Sequence, residues 1–294
     1  MRQKRQKLLG ILAAVCLALC LPLAAAADMG PKPSVRVRFE NLPDQVCYGT
    51  LLSQRESTGP DTAWDGVSPF PGWGWHGTGA EDEALWAAFC AYEDADGFYF
   101  LEEWWNCSEA ELAWTYYPPS PFKILLYFPE SGTFCVSPIY ERYAFDSYYT
   151  VDLADWESGA ITAVPSYDYT QEILGGLARF VLTLAVELAL AWAVYFRQRR
   201  ALWFFVRVNL FTQAALNIAL SLIAYQMGAL AYVLFYVLLE VVVLVFEMVL
   251  YLKRLPRYLE GPVRPWQVAA YAALANGASF LVGIWLSERM PFLF

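Results

Sequence analysis

One histidine, His76, is all that the 294-residue chain contains, and no cysteine follows Cys135. A single imidazole leaves the usual Ser-His-Asp and Cys-His arrangements without the base that activates their nucleophile. The absence of His and Cys from the apolar C-terminal part argues against intramembrane metalloprotease or thiol chemistry there. No CxxC pair occurs and His76 has no cysteine near it in sequence, so no metal site is expected. Basic residues are scarce in the middle of the chain: residues 28–170 hold 23 Asp and Glu against 6 Lys and Arg, whereas the rest holds 6 against 14. Such an acidic segment excludes nucleic acid as a partner. These absences leave no catalytic constellation and no cofactor motif, and a non-enzymatic protein is expected.

What is abundant is apolar surface. Hydrophobic residues make up 58% of the chain, charged residues 17%, and the mean hydropathy is +0.34. That is too apolar for one ordinary soluble domain, and the excess lies at the two ends. The N-terminus has a basic start (Arg2, Lys4, Arg5, Lys7), an apolar run from Leu8 to Leu23 and small residues from Ala24 to Ala27. This is the layout of a signal peptide over residues 1–27. Leu19 before Cys20 and Val15 before Cys16 do not fit a lipoprotein signal, which needs a small residue there.

Residues 28–165 read as an exported acidic domain, mainly β and sandwich-like, with one inserted helix. Val35, Val37 and Phe39 alternate with Arg36, Arg38 and Glu40, the period of a half-buried strand, and a second strand near 46–52 suggests an opening hairpin. Residues 56–79 lack periodicity and read as a long loop. Thr78 with Glu81 forms a capping-box pattern before a helix carrying Leu85, Trp86, Phe89 and Cys90. Further strands are expected at 98–104, at 123–128 with 133–137 across a Pro-Glu-Ser-Gly turn, and at 148–153, followed by a polar stalk over 154–170. Cys47, Cys90, Cys107 and Cys135 are an even set in an exported domain, which favours two disulfides with three open connectivities. Trp73 and Trp75 in the long loop, and one of the adjacent pair Trp104 and Trp105, are candidates for exposed ligand contacts. Glu93, Asp94, Asp96 and Gly97 resemble part of a calcium loop but lack its later ligands, and read better as a solvated helix end.

Residues 166–294 read as an α-helical bundle of four transmembrane spans, about 172–196, 202–225, 228–252 and 266–286. The first connection carries Arg197, Arg199 and Arg200 and the third Lys253, Arg254, Arg257 and Arg264, while the second has no charge. Positive connections face the cytoplasm, so residues 28–170 and the C-terminus are expected outside. Six residues contradict their apolar surroundings: Glu187, Asn209, Gln213, Asn217, Glu240 and Glu247. Intramembrane ionisable groups of this kind are costly and mark sites. Asn209, Gln213 and Asn217 are four apart and form one stripe, which with Glu187 and Glu240 suggests a polar chamber. Glu247 falls near enough to Lys253 and Arg254 to snorkel or pair with them, and Asn276 and Ser279 are further candidates. Ala269, Ala273 and Gly277 suggest a small-residue packing face.

The stretches KILLYFPESGTF, RYAFDSYYTVDL, SYDYTQEIL, VELALAWAVYF, VNLFTQAALN and LLEVVVLVFEMVLY resemble a group of Gram-positive bacterial membrane proteins with an exported β-rich domain and a C-terminal four-helix membrane bundle. The resemblance implies architecture and a bacterial envelope, and no activity. The reading that follows is a receptor or sensor that binds an extracellular ligand through the exported domain. A transporter subunit or channel with a polar intramembrane site is the alternative, and a non-catalytic envelope scaffold a third. The lipid bilayer is one partner, and a second protein or a homo-oligomer in the membrane is expected because the connections are too short to hold a signalling domain.

Overall fold

In the computed structural model of the chain, residues 30–70, 79–108, 111–194 and 196–289 are described. The signal peptide, Trp73, Trp75, His76 and Thr78 lie outside the described residues. The chain divides into two compact units, Lys32–Tyr167 and the helices of Asp168–Phe294.

The first unit has two four-stranded sheets. One runs β4-β1-β7-β8 and the other β3-β2-β5-β6, with β1 at Ser34–Glu40, β2 at Tyr48–Ser53, β3 at Trp105–Asn106, β4 at Glu111–Trp114, β5 at Phe122–Phe128, β6 at Thr133–Val136, β7 at Asp146–Asp152 and β8 at Ala163–Pro165. Val35, Val37, Leu112, Trp114, Tyr149 and Val151 of the first sheet share a core with Leu51, Ile124, Leu126, Phe128 and Cys135 of the second. A sandwich is thus present, but it is not purely antiparallel, because β1 and β7 pair in parallel from Ser34↔Asp146 to Glu40↔Asp152. The expected opening hairpin is absent: β1 and β2 belong to different sheets. β1 alternates and β2 is buried along nearly its whole length, so neither pattern names a partner, and the choice of neighbour for β1 is made by β7, more than a hundred residues away. The β5–β6 hairpin is present, with Phe128 opposite Thr133.

β5 is buried on both faces, which is why its sequence, FKILLYF, runs apolar without alternation. Its second face supports α1 (Ala80–Cys90) and the irregular stretch after it: Leu52 and Leu125 pack with Leu85, Trp86, Phe89, Phe98, Phe100 and Trp104. Residues 98–104 are therefore held by aromatic packing, with one bridge, Ser53↔Tyr99, in place of the expected strand. The N-cap of α1 is Gly79, whose N–H donates to Asp82 at 3.4 Å, one residue beyond the expected Thr78–Glu81 box. The stalk contributes β8, which pairs with β7.

Lys123, pointing into the α1 side from β5, is only 4% exposed and is held by Asp94 at 2.8 Å to both carboxylate oxygens and by Asp96 at 2.6 Å. Asp94 also accepts the N–H groups of Asp96 and Phe98. The acidic turn after α1 is thus the counter-charge of a buried lysine, and Asp94 is not a solvated helix end. The four cysteines are free, which corrects the expectation of two disulfides. Cys47, Cys107 and Cys135 are buried between the sheets, whereas Cys90 packs on the far face of the second sheet. The sheet itself keeps Cys90 from the other three. Burial pushes the Cys90 thiol up to about 12 and the Cys135 thiol up to about 11, so both remain protonated and unreactive. Trp104 and Trp105 are accommodated on opposite faces of the same sheet, Trp104 in the α1 layer and Trp105 against the sandwich core beside Trp114, so neither is the exposed ligand contact expected.

Among the described residues of the second unit, three helices are long and apolar enough to cross a membrane: Glu172–Ala193, Arg199–Arg257 and Pro265–Trp285. They belong to α2 (Thr170–Ala193), α3 (Arg199–Arg254) and α4 (Pro265–Arg289). Thr212 and Glu247 of α3 are 35 residues apart, about 52 Å along a straight helix, yet their side chains are 2.6 Å apart. α3 therefore folds back on itself, and it does so at Gly228, whose φ of 81° and ψ of 179° are non-helical and open to glycine alone. Its two arms pack through Leu216, Leu220 and Val243 with Tyr232, Phe235, Tyr236 and Leu239. On α4 the buried face is Val268, Ala272, Ala275, Asn276 and Ser279, while Ala273 and Gly277 are exposed, so the expected small-residue stripe points away from the packed helices.

Two stability tests follow. Asp94→Ala strips Lys123 of its buried partner and is expected to cost about 3 kcal/mol, read by denaturant unfolding of the detergent-solubilised chain. Gly228→Ala places a Cβ in a glycine-only conformation and is expected to cost about 1–3 kcal/mol, with a lowered melting temperature as the readout.

Candidate functional site

α2, both arms of α3 and α4 each send polar side chains to one buried place. Glu187, Asn209 and Glu247 are fully buried, with Thr212, Gln213 and Asn276 at 3–4% exposure. Asn209 Nδ2 donates to Glu187 Oε2 at 2.6 Å, and lies 3.2 Å from the Phe205 carbonyl and 3.4 Å from the Tyr251 hydroxyl. Glu247 accepts three donors: the Thr212 hydroxyl at 2.6 Å, Asn276 Nδ2 at 2.9 Å and the Tyr251 hydroxyl at 3.5 Å. Tyr271 donates to the Glu187 main-chain carbonyl at 3.2 Å.

The two carboxyls are served unequally. Glu247 has donors on both oxygens, whereas Glu187 Oε1 is buried with no partner, as is Asn209 Oδ1 beside it in the network. Neither Glu187 nor Glu247 forms an ion pair among the described residues. Two adjoining acids and an amide thus present more acceptors than the described side chains supply donors. Such a set lacks positive charge or a proton.

A second polar place shares Gln213 with the first. Arg179, Gln213, Asn217, Tyr236, Glu240 and Ser279 surround a cavity of about 10 Å3, which is about the size of one water molecule. Arg179 Nε donates to Asn217 Oδ1 at 3.0 Å, and the guanidinium stands 5.8 Å from the Tyr232 ring centre. Counted along the helices from the basic connections, Glu247, Glu187, Asn209 and Asn276 fall about 10–16 Å in, and Glu240, Ser279, Arg179 and Asn217 about 21–27 Å in. The polar residues form a seam of two levels along the helices. Below the first level Phe196, Phe205, Tyr251, Leu255 and Tyr271 close it with aromatic packing.

All six residues singled out in the sequence meet along this seam, with two changes of rank. Glu247 does not snorkel toward Lys253 or Arg254 but accepts three side-chain donors from within the helical unit. Glu240 belongs to the small cavity and not to the centre. Asn276 joins the acids, and Ser279 lines the cavity. Arg179, Thr212, Tyr251 and Tyr271 were not anticipated. Arg179 had a signal, a charge inside an apolar run like Glu187. Thr212, Tyr251 and Tyr271 had none, since hydroxyl groups are ordinary in such helices. No protein-family model, curated protein or solved structure matches the chain.

Replacing Glu247 by Ala leaves Thr212 and Asn276 without their interhelical acceptor. At about 0.6–2 kcal/mol for each such contact, the loss is expected to be about 2 kcal/mol, with Glu247→Gln nearer the wild type because it keeps an acceptor oxygen. Thermal unfolding in detergent measures both.

Proposed function

We propose that the protein is a membrane protein crossing the bilayer four times, the turn at Gly228 separating the second and third crossings, with residues 28–165 outside the cell. We propose further that its helical unit is a proton pathway, as a channel or as a subunit of a proton-coupled transporter. The observation that carries this reading is the pair of unpartnered buried acceptors, Glu187 Oε1 and Asn209 Oδ1, next to a carboxylate already saturated with donors. In this arrangement Glu247 is the fixed negative charge and Glu187 the group that takes up and gives back a proton. Protonation supplies the donor that the site is short of, and loss of the proton restores the shortage. A cavity of about 10 Å3 admits a proton or a water and no larger solute, which favours protons over organic cargo. Glu240, Arg179 and Asn217 extend the polar seam beyond Glu187.

A receptor function is the second reading, with an external ligand held by the β unit. It is favoured by an arginine-lined cavity in that unit. A scaffold function has no specific observation in its favour.

Proton flux in vesicles decides the first reading. Purified protein in liposomes with an entrapped pH-sensitive dye is given a potassium diffusion potential. Wild type is expected to acidify the lumen well above protein-free vesicles, Glu187→Gln to lose that flux at least tenfold, and Glu240→Gln to slow it. Wild-type vesicles as tight as protein-free ones would falsify the pathway.

A further inference from the structure

The β unit contains one place where positive charge converges in an acidic domain. Arg55 and Arg142 line a cavity of about 170 Å3 together with Ser53, Ser120, Tyr117 and Pro121. Neither arginine forms an ion pair among the described residues, although residues 28–170 have 23 acids for their 6 bases. Arg36 is paired with Glu111 at 2.9 Å, and Lys123 with Asp94 and Asp96. Arg142 is half-buried, and its Nε is a buried donor with no acceptor. A guanidinium cannot shed its charge to escape this cost. Burial does lower its affinity for the proton.

The surrounding groups are also donors. The Ser53 hydroxyl accepts the Arg55 N–H at 3.0 Å and the Ser120 hydroxyl accepts the Arg142 N–H at 3.2 Å, so each fixes the backbone of one arginine. Neither hydroxyl donates to any described acceptor, and both hydrogens are free to turn into the cavity. Lys32 stands 5.3 Å from the Tyr117 ring centre, adding positive potential on that side. The wall is stiff, because Pro118, Pro119 and Pro121 restrict the segment that carries Ser120.

We propose that this cavity binds a small oxyanion, a phosphate or carboxylate group that is free or carried by a small molecule. Planar guanidinium groups match both oxyanions bidentately, and the two serine hydroxyls complete the donor set. At about 170 Å3 the cavity is below the roughly 300–1,000 Å3 of drug-sized pockets, so the anionic group itself and little more is enclosed. The proposal stands whether or not the helical unit carries protons, and the receptor reading rests on it.

The test is isothermal titration of the full chain in a neutral detergent with inorganic phosphate in one arm and acetate in the other, at constant chloride. Saturable binding is expected for at least one of them, and the stronger arm identifies the oxyanion. Arg142→Gln and Arg55→Gln are each expected to weaken it tenfold or more, with Arg38→Gln, an exposed arginine on β1, unchanged. Without added anion, Arg142→Gln is expected to melt no lower than wild type, since it removes a buried charge that has no partner. The proposal is overturned by the absence of saturable binding in both arms, by undiminished binding in Arg142→Gln, by equal weakening in Arg38→Gln, or by a lower melting temperature of anion-free Arg142→Gln, which would make that arginine a structural one.

Discussion

Glu247 is fully buried, and the donors it finds come from the other arm of its own helix hairpin, from α4 and from one turn along its own arm. That single requirement orders the helical unit. Apolar helices in lipid gain little by packing one apolar face in place of another, so close packing and interhelical hydrogen bonds decide which faces meet. Thr212 and Asn276 can both reach Glu247 only if α3 turns back at Gly228 and α4 lies alongside the second arm. Asn209 then sits one turn before Gln213 and reaches Glu187, which brings α2 into the same register. The aromatic layer of Phe196, Phe205, Tyr251 and Tyr271 packs beneath the acids and closes them off on the side of the basic connections.

The same interactions that assemble the helices leave the site incomplete. A network with every donor and acceptor matched would be structural glue and nothing more. Here Glu247 is saturated and Glu187 is not, and the difference lies on one oxygen of a buried carboxyl. A proton is the smallest group that corrects it. The β unit shows the converse arrangement, a half-buried guanidinium with a donor to spare and no ion pair among the described residues. In both units the feature that points to function is an imbalance of hydrogen-bonding partners in a place that packing has otherwise completed.

Much of this was legible in the residues, and the limits have physical causes. The polar stripe of Asn209, Gln213 and Asn217 was readable because helix periodicity alone places residues four apart on one face. The membrane character of the helices follows from length and hydropathy. Glu247 was misjudged because counting along one helix measures distance from its end and is blind to Asn276 and Thr212 on other elements. The small-residue face of α4 failed for a related reason: Ala273 and Gly277 form a stripe, but Ala272, Asn276 and Ser279 are on the face that satisfies Glu247, and a hydrogen bond to a buried acid outweighs close approach. In the β unit the alternation of β1 was plain, yet its partner was not, because pairing with β7 depends on a segment far along the chain. The even set of cysteines suggested two bridges, and a sheet standing between Cys90 and the others is invisible to counting.

By itself the sequence determined the division into an acidic β-rich segment and an apolar helical one, the polar residues that hydrocarbon rejects, and the helix and strand periods, all of them local or additive properties. Only the tertiary structure decided which of those polar residues meet, which oxygen is left without a donor, and that Arg55 and Arg142 line one cavity. Those outcomes depend on contacts between segments distant in the chain, where one buried hydrogen bond selects among faces that composition leaves equivalent.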